Sequence, residues 1–218
     1  MKPLNVLEIC SGSGVMGAAF KSKNHNVITI DVNPDYHPDI VMDCMLLKKD
    51  SIPFVPDVVW FSPPCTTYSI AGIGHHRSKN YETEEVDPIS IEAWQSDMMI
   101  NHVLNVISEW NPKLAFMENP RGGLRKMRFV TSRTGLTRYT ITYCQYGDSR
   151  MKPTDVWVND LEVPFKPMCH NGDPCHERAP RHSCTGTQGL KNAYERSKIP
   201  QQLCDFIVEY CENKLCKE

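Results

Sequence analysis

Within its first 23 residues the chain writes a strand, a glycine turn and a helix. Leu4 to Ile9 is a short apolar run; it breaks at Cys10-Ser11-Gly12-Ser13-Gly14, and Val15 to Lys23 then reads as helix. That order opens a β-α-β unit, and the design recurs. Asn26 to Ile30 ends at Asp31, Asp39 to Met42 at Asp43, and Pro56 to Phe61 at Ser62-Pro63-Pro64-Cys65. Ile91 to Trp110 places Met99, Val103, Val106, Ile107 and Trp110 on one helical face, and Leu114 to Met117 returns to strand, ending at Glu118-Asn119-Pro120. Strands alternating with helices predict a doubly wound, mostly parallel α/β sheet. Beyond Pro120, Tyr139 to Tyr143 and Val156 to Val158 read as strands able to close that sheet with an antiparallel edge.

The expected division is a main α/β unit over 1–158, a short irregular insert rich in Pro, Gly, Cys and His over 159–198, and a segment 199–218 packing back as a helix. In that helix Leu203, Phe206, Ile207, Tyr210 and Cys211 share one face behind Pro200. With 218 residues, 40% of them hydrophobic, there is material for one core and no compositional case for disorder. The start lacks the apolar stretch of an export signal, and no run is long enough to span a membrane. Ten cysteines in such a chain point to thiols, ligands or nucleophiles in a reducing compartment, cytoplasmic or nuclear, rather than to a disulfide framework.

The net charge of -2 conceals an asymmetry, with 7 basic against 14 acidic residues up to position 110 and 17 against 12 beyond it. Between 121 and 152, Arg121, Arg125, Lys126, Arg128, Arg133, Arg138, Arg150 and Lys152 face only Asp148. Such a stretch either neutralises phosphates or is a solvated surface with charges on several faces.

Three groups of residues can carry chemistry. Gly12 and Gly14 allow a tight turn and close approach of a ligand to a helix amino terminus, and Asp31 at the next strand end can accept hydrogen bonds from ribose hydroxyls. Together they favour an adenosine-type cofactor, with Asp43 near its base. Cys65 is held by two prolines where doubly wound sheets bind ligands, a place for a soft thiolate nucleophile that can also leave again. Glu118, at the end of the next strand, would share that crevice; shielded from water, its raised pKa would let it donate a proton to a ring nitrogen.

In this order the motifs resemble the DNA cytosine-5 methyltransferase family, from Leu7 to about Trp157 and again near Ile199. The resemblance implies a Rossmann-like methyltransferase sheet, with residues 1–158 as the S-adenosylmethionine-binding catalytic domain. It implies a cofactor site at Cys10, Gly12, Gly14, Asp31, Asp43 and Pro63. Cys65 would be the nucleophile at carbon 6 of cytosine, Glu118 the acid at ring nitrogen 3, and Arg150 a further catalytic arginine. Pro64, Ser69, Asn119, Pro120, Arg121 and Lys152 would meet the substrate, double-stranded DNA with its cytosine flipped out of the stack. Thr66 to Pro88 resembles the family's mobile catalytic loop, whose His75, His76, Arg77 and Lys79 could meet phosphates.

The family places a large target-recognition region where this chain has only residues 159–198. Recognition is therefore expected to be short, relaxed or borrowed from a partner. The insert holds Cys169, His170, Cys175, His176, His182 and Cys184. Thiolate and imidazole groups suit Zn²⁺, with Cys169, Cys175, His176 and Cys184 as the candidate ligands; surface histidines and reduced thiols are the alternative. The same thiolate chemistry would serve an RNA cytosine-5 methyltransferase, and a catalytically idle DNA-binding or cofactor-sensing module would keep the fold without the reaction.

Overall fold

The computed structural model describes residues 2–177, 190 and 192–216. In chain order come β1 (Asn5–Ile9), α1 (Val15–Ser22), β2 (Asn26–Asp31), β3 (Ile40–Val41) and β4 (Val58–Phe61). A short helix α2 (Ile73–His76) leads into the strands β5 (Arg77–Lys79) and β6 (Val86–Pro88), followed by the long helix α3 (Ile91–Trp110) and β7 (Leu114–Pro120). The last elements are α4 (Arg128–Thr131), β8 (Thr137–Thr142), β9 (Pro153–Val158), α5 (Ala193–Ser197) and α6 (Gln201–Leu215).

Seven strands form one sheet in the order β3-β2-β1-β4-β7-β9-β8. Its pairings are parallel from β3 to β7 and antiparallel where β9 meets β7 and β8, which is the doubly wound sheet with an antiparallel edge that the sequence predicts. Because β9 alone is reversed, β8 runs in the same direction as β7. The end of β8 and the start of β9 therefore lie at the same edge of the sheet as the loops after β1, β2, β3, β4 and β7. Every residue singled out at a strand end is thereby delivered to one side of the molecule.

Alternation along the strands builds two core layers. Val59 and Phe61 of β4 and Ala115 and Met117 of β7 face a layer with Ile100, Val103 and Ile107 of α3. Val58, Trp60, Leu114 and Phe116 face the other, with Met16 and Phe20 of α1 and Leu203, Ile207 and Cys211 of α6. Helix α3 begins where the Ser90 side chain accepts from Ala93 N at 3.2 Å. It ends at Asn111, whose φ of 51° turns the chain into Pro112.

The segment 66–88, which resembles a mobile catalytic loop in sequence, carries α2 and the β5/β6 hairpin around a buried arginine. Arg77 donates to Thr67 O at 2.8 Å and to Asp97 Oδ1 of α3 at 2.7 Å, and its guanidinium lies 4.1 Å from the centre of the Tyr68 ring. Arg77 is thus a structural tie and not a phosphate contact. No helix among the described residues is long and apolar enough to cross a membrane.

Candidate active site

The glycine turn after β1 is backbone in left-handed geometry, with φ of 56° at Cys10, 49° at Gly12 and 66° at Gly14. A side chain at either glycine would be strained by that φ. A Cβ there would nevertheless meet no atom within 4 Å, so open space lies in front of the turn. Gly14 begins α1 without a side-chain cap of its own, and in the first turn Gly17 N donates to Glu8 Oε2 at 2.8 Å. Asp31 braces the turn, its Oδ2 accepting from Gly12 N at 2.8 Å while Oδ1 accepts from Asn33 N at 2.9 Å. Asp43 is exposed and accepts from Met45 N at 2.9 Å, and Cys10 turns its sulfur to within 3.6 Å of Cys44. Val32 and Leu46, 65% and 66% exposed, follow these two acids and offer apolar surface beside them.

The second half of the site gathers around Cys65. This residue is half-buried, and its carbonyl accepts from Tyr68 N at 3.0 Å and Ser69 N at 2.8 Å, which turns the chain sharply behind Pro63-Pro64. From the neighbouring strand, Asn119 Nδ2 donates to Pro63 O at 2.9 Å, locking the proline segment to the end of β7. Asn119 Oδ1 is buried with no hydrogen-bond partner among the described residues. Pro64 is exposed, Pro120 ends β7, and Arg121 is exposed with its amide donating to Pro153 O at 2.9 Å.

Glu118 is 6% exposed, and its Oε1 accepts from the Tyr143 hydroxyl at 2.9 Å. Lys152, also buried, sits with Nζ 4.4 Å from the centre of the Tyr143 ring and donates to Arg196 O at 2.9 Å. These groups set one another's protonation. Burial pushes the Glu118 carboxyl above the usual carboxylate range, against the pull of Lys152 and the Tyr143 hydroxyl. Burial and the charge of Glu118 push the Cys65 thiol up, and Lys152 draws it down. Burial lowers Lys152 itself, opposed by Glu118 and Cys65. Glu118 is thus biased towards the neutral acid, and losing its negative charge makes the Cys65 thiolate easier to form.

Arg150, which the resemblance implies as a further catalytic arginine, is paired with Asp148 here. Its Nε donates to Asp148 Oδ1 at 2.8 Å and its Nη1 to Arg196 O at 3.3 Å. Lys152 is the cation whose field acts on both Cys65 and Glu118, and Arg196 adds to it at Cys65. Among the other basic residues of 121–152, Arg125 pairs with buried Asp155 at 2.7 Å and Arg133 bonds Asn105 Oδ1 at 2.7 Å. Arg121, Lys126, Arg128 and Arg138 are exposed. The basic stretch is therefore divided between internal ties and surface charge.

Sequence reading missed Tyr143, which looks like one more apolar residue at the end of a strand. It also missed Cys144. The Sγ of Cys144 lies 3.1 Å from that of Cys169 and 3.7 Å from that of Cys175, and Cys169 Sγ lies 3.7 Å from His176 Nδ1. Three of the four candidate metal ligands, Cys169, Cys175 and His176, are thus brought together; the fourth, Cys184, lies outside the described residues, as does His182.

A parallel sheet closed by an antiparallel edge, with a glycine turn and a cysteine–carboxylate pair on one rim, is a methyltransferase fold. A methyltransferase of Entamoeba histolytica, EhMeth, shares it with a TM-score of 0.51 at 14% identity, over 72% of this chain and 53% of that one. The Dnmt2 methyltransferase of S. pombe aligns with a TM-score of 0.47 at 19% identity, over 72% of this chain and 49% of that one. The chain spans about half the length of these solved structures. In sequence it resembles the DNA cytosine-5 methyltransferase family. It is 26% identical, over 227 aligned positions covering 95% of this chain and 100% of the relative, to a protein of Frog virus 3 (isolate Goorha) named "Probable DNA (cytosine-5)-methyltransferase". No protein-family model matches the chain.

Proposed function

We propose that this protein transfers a methyl group from S-adenosylmethionine to carbon 5 of cytosine in DNA through a covalent adduct between Cys65 and carbon 6. The observation that carries the reading is the placement of Cys65 and the neutral-biased Glu118 at the ends of adjacent parallel strands, with buried Lys152 acting on both. The name of the viral relative supports DNA as the substrate.

The residues of the turn fit the cofactor. Open space before Gly12 and Gly14, and Val32 and Leu46 beside Asp31 and Asp43, offer a surface for an adenosine group. When bound, the cofactor supplies an electrophilic methyl group on a sulfonium centre. Cys65 releases its proton to water and its thiolate forms a bond to carbon 6; the electron pair of the ring double bond moves toward carbon 5 as Glu118 places its proton on nitrogen 3. Once carbon 5 carries the methyl group, a base removes the proton from that carbon. The electron pair left behind re-forms the ring double bond, expels the Cys65 thiolate, and the proton on nitrogen 3 returns to Glu118. Tyr143 holds the Glu118 carboxyl in place, and Lys152 stabilises the thiolate both when it forms and when it leaves. The reacting edge is stacked in a duplex, so the cytosine must be flipped out, and exposed Arg121 lies at the end of β7 to meet the backbone.

Incubated with methyl-tritiated S-adenosylmethionine and mixed-sequence duplex DNA, the protein is expected to place label in 5-methylcytosine. A duplex containing 5-fluorocytosine is expected to trap a covalent complex through Cys65, since fluorine at carbon 5 cannot leave as a proton. Label confined to RNA would overturn the choice of substrate. Cofactor binding with transfer to neither nucleic acid would overturn the reaction itself in favour of a binding module.

A further inference from the structure

The short insert leaves β9 at Val158, passes Val163 and Phe165 against α6, and turns back to the end of β8. At that return point Cys169 and Cys175 with His176 meet Cys144, which belongs to the 3₁₀ turn Tyr143–Tyr146 of the main sheet. Four side chains from two separate segments thus converge, and their ligand atoms all lie within 4.8 Å of one another.

We propose that Cys144, Cys169, Cys175 and His176 form a structural Zn²⁺ site that staples the insert to the rim of the active site. Zn–S bonds of about 2.3 Å and Zn–N bonds of about 2.0 Å in a tetrahedron give ligand edges of about 3.8 Å between sulfurs and about 3.6 Å between sulfur and nitrogen. The structure has 3.7 Å for Cys144–Cys175, 3.7 Å for Cys169–His176 and 3.6 Å for Cys175–His176, with a shorter 3.1 Å edge for Cys144–Cys169. Three thiolates and an imidazole are a donor set that prefers zinc to harder cations. The surroundings also suit a thiolate cluster. Gln145 Nε2 lies 3.8 Å from the Cys175 sulfur, and Cys169 N is fixed by Thr142 Oγ1 at 3.1 Å.

The site would hold together a segment too small for its own core. It would also reach the chemistry by a short path. Cys144 directly follows Tyr143, the residue bonded to Glu118, and just past the cluster Glu177 N donates to Ser149 O at 2.8 Å, beside Arg150. On the far side of the insert, Arg196 O accepts from both Arg150 and Lys152. The staple and the Arg196 carbonyl therefore pin the insert at two points to the 143–152 turn. The metal assignment rests on the four side chains alone and is independent of the methyl-transfer reading.

The test is made on the full-length protein purified without chelator. Elemental analysis is expected to find one zinc per chain. After exchange to Co²⁺, the protein should show thiolate-to-cobalt charge-transfer absorption and the strong visible bands of a tetrahedral site. Cys175→Ser, at an exposed position, should fold, lose about a third of the charge-transfer intensity and weaken zinc binding at least about tenfold in competition with a chromophoric chelator. Cys184→Ser should leave metal content and spectrum unchanged, and chelation of the wild type should expose Cys169 to thiol reagents. A wild-type protein with substoichiometric zinc and no cobalt charge-transfer band would overturn the proposal. So would a Cys144–Cys169 disulfide found by mass, or metal lost in Cys184→Ser but kept in Cys175→Ser.

Discussion

The two halves of the active rim are assembled differently. On the β1-β2-β3 side each proposed cofactor residue lies at the end of its own strand or within a few residues beyond it, and local backbone does the placing; Gly12, Gly14, Asp31 and Asp43 need only the parallel sheet to share one rim. On the β4-β7-β9-β8 side the proposed catalytic group is drawn from Cys65, Glu118, Tyr143 and Lys152, with the carbonyl of Arg196 behind them. Reversal of β9 is what brings the end of β8 and the start of β9 beside the end of β7. A ligand cradle can thus be encoded in a few contiguous residues. A set of mutually adjusted proton sites needs distant segments and burial.

Substitutions can separate the two halves. The largest effect is expected for Cys65→Ala, which should reduce methyl transfer by about a thousandfold or more while leaving cofactor affinity unchanged by equilibrium binding. Loss of cofactor affinity in this variant would show the halves to be one unit. Glu118→Gln should slow transfer by about 10²- to 10⁴-fold. Because it removes the negative charge that pushes the Cys65 thiol up, it should also move the pH profile of Cys65 alkylation to lower pH. Lys152→Met, lacking the opposing charge, should move the same profile to higher pH; shifts in one direction for both would refute the electrostatic account.

Glu8 sharpens the contrast from within the cofactor half. It lies on β1 facing α1, 2% exposed, with Gly17 N donating to it at 2.8 Å, and burial raises its pKa to about 8. The unfolded chain releases this proton near 4.5, whereas the folded chain keeps it to about 8. The stability it contributes is therefore complete below about pH 4.5 and is lost progressively as pH rises toward 8. Glu8→Gln should raise unfolding free energy at pH 8 by on the order of 4 kcal/mol, and the gain should vanish near pH 4.5 in denaturant titrations. A gain independent of pH would mean that packing, not the proton, is responsible. The smallest effect is expected for Gly14→Ala. A φ of 66° costs alanine about 1 kcal/mol, and the new methyl group enters the open space before α1. Cofactor affinity should fall about tenfold while Cys65 alkylation keeps its pH profile.

Periodicity and punctuation made the sheet legible, because short apolar runs separated by helical spacing leave few ways to bury both faces of each strand. The glycine turn, Cys65 and Glu118 were legible for a related reason: residues at the ends of parallel strands share one rim whatever the details of packing. Cys169, Cys175 and His176 declared their chemistry through their side chains. Tertiary structure alone decided the rest. It placed Arg77 in the interior against Asp97, set Arg150 on Asp148 while Lys152 faced Glu118, and chose Tyr143 and Cys144 as partners. Those outcomes depend on burial and on contacts between segments far apart in the chain. A side chain's type fixes what it can bond or titrate, but only the fold fixes which charges stand beside it and how much water is left to screen them.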